Sequence, residues 1–232
     1  MRRLAVFVEG YTEILFLTKL IEEIAGSHKV VIEQQRIRGG KKVGRTITVI
    51  SAAKPNTGQH YSVLLVDCGG DKAVKSRILE EHENLTRTGY RMIIGVRDVR
   101  PDFTYADIPR LEDGLRMYVK TSLIPVVFVL SVMEIEAWFL SEFNHFPKIH
   151  PSITVPTIKA KLGFDPEHDD LTWRPTPTVD LNDCYQIGGK TYQKNNAADT
   201  VAMLNYDFLY LELQKKIVHL KRLTDTIDGF LS

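Results

Sequence analysis

Carboxylates placed at or just after the ends of apolar runs are the residues of this chain whose types and spacing could do chemistry. Glu9 follows the unbroken apolar run Leu4 to Val8, and Glu13 comes four residues later, beyond Gly10. Asp67 ends a second run, Tyr61 to Val66, and leads into Cys68, Gly69, Gly70 and Asp71. Asp98 and Asp102 come after Arg91 to Val96, and Glu134 and Glu136 after Ile124 to Val132. Unbroken apolar runs suit strands buried on both faces, and in a mainly parallel sheet their carboxyl ends converge on one crevice. Carboxylates gathered there repel one another, so they call for a cation or for raised pKa values. Magnesium, or manganese in its place, takes hard oxygen ligands. One or two such ions could align a nucleophile and stabilise both oxygens in phosphoryl transfer.

Two short basic segments could hold a polyanionic substrate. Lys41, Lys42 and Arg45 lie in Gly39 to Thr46 (GGKKVGRT), one substitution from a phosphate-binding P-loop, with Arg45 where the lysine belongs. Lys190, Tyr192 and Lys194 lie in a second glycine-led segment and could touch a backbone phosphate or stack on a base. The seven histidines are scattered and suggest no ligand set.

The elements that must position these groups follow from periodicity. Gly10 permits a sharp turn, and Leu15, Phe16, Leu20, Ile21 and Ile24 recur near helical spacing, which predicts a helix opening at Tyr11 or Thr12. Glu9 then ends a strand and Glu13 sits in a first helical turn, where an acid also serves as a cap. Further strands are predicted over 28–40, 61–66, 91–96 and 124–132, with helices over 72–85 and 106–120. Strands alternating with helices argue for an α/β fold with a central, mostly parallel sheet and helices on both faces. From Pro147 to Pro177 the chain is proline-rich with acids between Asp165 and Asp170, and reads as a loop-rich connection. Ala197 to Phe230 reads as two helices broken near Asn205, with Leu209, Leu213, Ile217, Leu220 and Leu223 as a core stripe; Trp138 is assigned to the core. The expected organisation is an α/β domain over 1–145 and a loop-rich, helical extension over 146–232.

Composition narrows the class. Of the 232 residues, 44% are hydrophobic, ample for a core, and 30 Lys plus Arg nearly cancel 29 Asp plus Glu. Global charge therefore gives no pull toward nucleic acid or membrane, and any polyanion needs a local basic patch. Two distant cysteines with no CxxC suggest neither a disulfide scaffold nor a zinc site. No signal-peptide pattern and no 18-residue apolar span is found, so the expectation is a soluble, cytoplasmic protein with no membrane partner.

VEGYTE at the first strand end and VDCGGD at a later one resemble the Toprim domain, in the branch typified by the OLD-family nucleases. MEIEAWFLSE and GGKTYQK, with a helical C-terminus, are similar to a family of small stand-alone Toprim-like proteins of unknown function. The resemblance implies a Rossmann-like α/β fold and a magnesium- or manganese-dependent nuclease that cleaves DNA or RNA phosphodiesters. Antiviral defence or DNA processing is the implied setting, with a separate ATPase as partner. It carries the first-strand metal ligand onto Glu9, the leading acid of the Asp-x-Asp pair onto Asp67 and the second OLD-type acid onto Glu13. Gly69 stands where the pair's second acid belongs, and Asp71, Asp98 and Glu134 are the alternatives for its charge. That departure also supports a rival expectation, a catalytically weak Toprim-like module that binds nucleic acid or protein.

Overall fold

A computed structural model describes every residue except Lys41 and Lys42, and every side chain except those two, Val43 and Asp71. Six strands form one mixed, mostly parallel sheet flanked by helices: β1 (Arg2–Val8), β2 (Val30–Gly40), β3 (Val43–Ser51), β4 (Tyr61–Asp67), β5 (Met92–Asp98) and β6 (Val126–Ser131). Their order is β3-β2-β4-β1-β5-β6. β1 pairs in parallel with β4 and β5, β2 pairs in parallel with β4, and β2 pairs antiparallel with β3. The expected strand ends are met within a few residues, and the apolar residues Leu4 to Val8 of the central β1 are all buried. Among the described residues no helix is long and apolar enough to cross a membrane.

The crossovers are α1 (Tyr11–Ala25) and α2 (Asp71–Arg87), both followed by strands, and then α3 (Ile108–Arg116), shorter than the helix expected over 106–120. The P-loop-like segment forms no P-loop. Gly40 ends β2, Val43 opens β3 and the two strands pair antiparallel, whereas a P-loop joins a strand to a helix. Strand β3 itself was not expected. Glycines on both sides of its basic residues read as a turn, yet Thr46 to Ile50 is a β-branched stretch suited to pleated pairing.

After β6 the chain is built from short helices: α4 (Glu136–Ser141), α5 (Phe146–Ile149), α6 (Val155–Leu162), α7 (Pro177–Gln186), α8 (Ala197–Met203), α9 (Tyr206–Phe208), α10 (Gln214–Lys216) and α11 (Val218–Leu231). The proline-rich stretch expected to be loop is thus partly helical. Pro147, Pro156 and Pro177 stand in first helical turns, where a missing N–H costs nothing and a fixed φ suits the helix. The break foreseen near Asn205 is present: Leu204 leaves the helical region at ψ 146°, and the Asn205 side chain caps α9 by accepting from the Phe208 N–H. Trp138 is fully buried, as expected.

Two compact units are present. One comprises Met1–Arg97, Pro109–Leu130 and Asp225–Ser232, and the other Asp98–Ile108 and Ser131–Thr224. Each is discontinuous in sequence, whereas the expected division was a single cut after residue 145.

Gly95, inside β5, marks a tightly packed point of the first unit's core. A Cβ there would lie 2.7 Å from Ile78 Cδ1 and 2.8 Å from Phe128 Cδ1. Gly95→Ala is expected to destabilise the protein by about 1–3 kcal/mol through overpacking. Urea denaturation checks this, and an unchanged midpoint would contradict the packing assigned to β5.

Candidate functional site

Parallel pairing determines what surrounds the acids of the first unit. In the register of β4 with β2, Asp67 lies directly beside Arg36, and Arg38 follows two residues on along the same face. Asp67 is fully buried. Its Oδ2 accepts from Arg36 Nε at 2.9 Å and from Arg38 Nη2 at 2.9 Å, and its Oδ1 accepts from Arg38 Nη1 at 2.9 Å and from the Gly69 N–H at 3.0 Å. Arg38 therefore grips the carboxylate with two nitrogens, the strongest geometry for such a pair. Gly69 makes this possible, because its φ is +84° and a Cβ there would lie 2.8 Å from Arg38 Nη1.

Glu9 and Glu13 come close to that site in the chain's topology but serve differently. β1 and β4 are in register with Val8 beside Asp67, so Glu9 is one residue out of phase with Asp67. The Glu9 carbonyl accepts from the N–H groups of Gly69 and Gly70 at 3.0 and 2.8 Å, which ties the two strand ends together. Glu13 Oε2 accepts from the Gly10 N–H at 3.1 Å, the capping role available to an acid in a first turn. Both side chains are buried.

Asp98, Glu134 and Glu136 gather in the second unit around Lys194. Its Nζ lies 3.7 Å from Asp98 Oδ2, 3.9 Å from Glu134 Oε1 and 3.4 Å from Glu136 Oε2. Backbone donors hold two of these acids: Ile135 N–H donates to Asp98 Oδ1 at 3.1 Å, and Thr178 N–H to Glu134 Oε2 at 2.9 Å. Tyr192 is buried and donates its hydroxyl to Glu136 Oε1 at 2.8 Å. A base-stacking role for Tyr192 is excluded by that burial. Lys194 is a partner of acids here, where the sequence suggested a phosphate contact.

The other basic candidates have separate fates. Arg45 Nη2 donates to Glu81 Oε1, and its Nη1 lies 3.8 Å from Glu80 Oε2, so α2 already engages it. Lys190 is exposed and lines a cavity of about 420 Å³ with Lys148, Asn196 and Thr200. Lys41, Lys42 and the side chain of Asp71 lie outside the described residues.

All-oxygen donors match the chemistry of magnesium or manganese. In the arrangement found, however, the oxygens of Asp67 are taken by two guanidiniums, and among the described residues no group of three or more His, Cys, Asp or Glu side chains is placed to hold a metal. Glu9, Glu13 and Asp67 as they stand do not fit such an ion. Burial first, and the adjacent Asp67 charge second, push the Cys68 thiol far up, so it is no nucleophile at neutral pH. Cys184 is pushed up to about 12 by burial, then by Asp180 and Asp183.

Sequence reasoning missed Arg36, Arg38 and Tyr11. Arg36 and Arg38 are 41% and 47% exposed on their outer sides, and Tyr11, 42% exposed, has its ring centroid 5.9 Å from Arg36 Cζ. Two arginines at period-two spacing in a strand, Arg36-Ile37-Arg38, were the available signal. Comparison with family models, with characterised proteins and with solved structures finds no match to this chain.

Two outcomes check this geometry. Arg38→Gln is expected to cost more stability than Arg36→Gln, by about 1–3 kcal/mol, because it strips two hydrogen bonds from a buried carboxylate where the other strips one; chemical denaturation of both variants measures the gap. Neither cysteine should react with Ellman's reagent in the native protein at mildly alkaline pH, while both should react in denaturant.

Proposed function

We propose that this chain is a Toprim-like module that binds the phosphodiester backbone of nucleic acid through Arg36 and Arg38, without needing a metal. The observation that carries the reading is the buried Asp67 carboxylate fixing two half-exposed guanidiniums at the carboxyl end of the parallel strands. Open α/β sheets place their ligands there. Asp67 takes Arg36 through Nε, and among the described residues neither terminal nitrogen of Arg36 has a hydrogen-bond partner. Those nitrogens offer a phosphate the planar donor fork that suits it. Tyr11 beside them supplies an aromatic face for an unpaired base, worth about 1–3 kcal/mol in single-strand binding. Single-stranded DNA or RNA is therefore the favoured ligand class.

A magnesium- or manganese-dependent nuclease is the second reading, in defence or DNA processing and with an ATPase partner. It is favoured by one observation: Asp67 ends β4, Glu9 directly follows the end of the adjacent parallel β1, and Glu13 sits in the first turn of the helix that follows. It requires Asp67 to exchange its guanidinium partners for a cation.

Fluorescence anisotropy with a labelled single-stranded oligonucleotide across a salt series tests the first reading. Arg36→Gln should weaken binding and lower the salt slope by about one, as expected for one lost phosphate contact. Tyr11→Ala should weaken it with the slope unchanged. Full affinity in Arg36→Gln would refute the phosphate role. Incubation with plasmid and single-stranded substrates in magnesium or manganese separates the readings. Cleavage that disappears in Glu9→Gln while binding persists would establish the nuclease.

A further inference from the structure

Strand β3 is the edge of the sheet, and its sequence differs from that of a protected edge. Its other side has no neighbour in the strand order, so along Val43–Ser51 alternate N–H and C=O groups point away from β2. Edges that avoid pairing carry charge, proline or a strong twist. Here Thr46, Ile47, Thr48, Val49 and Ile50 are uncharged and β-branched, and none is proline. Ile47 and Val49 share one face and are each 52% exposed. The pairing with β2 is regular from Thr46 to Val49 and shifts on either side of that segment, so the straight stretch presented is Thr46 to Val49.

We propose that β3 pairs antiparallel with β3 of a second copy of this chain about a two-fold axis at Ile47, joining two sheets into one. This inference is independent of the nucleic-acid reading. About that axis Ile47 faces its own counterpart, Thr46 faces Thr48, and Arg45 faces Val49 of the other copy. No like charges meet within the paired segment. The two Arg45 residues end up four positions apart, roughly 14 Å along the strands, beyond the Debye length of about 8 Å at physiological salt. Each is also neutralised by Glu80 and Glu81 of its own α2. Parallel pairing would set Arg45 beside Arg45 and is disfavoured. Across Thr46 to Ile50 an acidic or nucleic-acid partner finds no cation, and Arg45 beside them is engaged by Glu80 and Glu81, whereas a second copy brings the same uncharged, β-branched stretch. A closed two-fold contact of this kind is self-complementary and leaves neither β3 edge open.

Light scattering coupled to size-exclusion chromatography, with sedimentation velocity over a concentration series, reads the assembly state. The wild type is expected to form a dimer. Ile47→Lys places two ammonium groups across the axis and should raise the dimer dissociation constant roughly tenfold or more with an unchanged circular dichroism spectrum. Ile47→Cys provides a measurement that does not depend on weakening the contact. Mild oxidation should link it into a covalent dimer, since Cys68 and Cys184 are buried. A wild type that stays monomeric at every concentration overturns the proposal, as does a dimer that survives Ile47→Lys or an Ile47→Cys protein that forms no covalent dimer.

Discussion

The parallel register of β2, β4 and β1 sets the chemistry of the first unit. With Arg36 beside it and Val8 on the other flank, the fully buried Asp67 is given a cationic neighbour by pairing alone. An ionised carboxylate buried without partners would cost several kcal/mol, and two guanidiniums with one backbone N–H supply its compensation. A shift of one residue in either strand would turn Asp67 away from both arginines. Gly69 belongs to the same constraint, because only a residue without a Cβ leaves room for Arg38 to close over the carboxylate.

The second unit meets the same electrostatic problem with a different cation. Lys194 sits among Asp98, Glu134 and Glu136, with Tyr192 as a neutral donor to the most buried of the three. Lysine acts as a compact charge that can face several carboxylates at longer distances, while arginine locks one carboxylate with a planar fork. The distances follow this difference: 3.4 to 3.9 Å around Lys194 against 2.9 Å at Asp67. In both constellations the chain's own side chains supply the positive charge that carboxylates grouped by the fold require.

The alternation of apolar runs with amphipathic stretches was enough to read an α/β sheet, its central strands and the acids at their ends, because a strand buried on both faces leaves an unbroken apolar run whatever surrounds it. The turn at Gly10, the buried Trp138 and the break at Asn205 were legible for the same reason: each rests on local chemistry. The edge strand β3 was not, since its exposed β-branched residues carry no burial signal and its glycines mimic a turn. Which cation each acid meets was decided by tertiary structure alone. Arg36 and Asp67 lie 31 residues apart in sequence and Glu136 and Lys194 lie 58 apart, so only strand register and packing bring them into contact. Sequence spacing names the acids; the partner that neutralises an acid is fixed by the geometry that buries it.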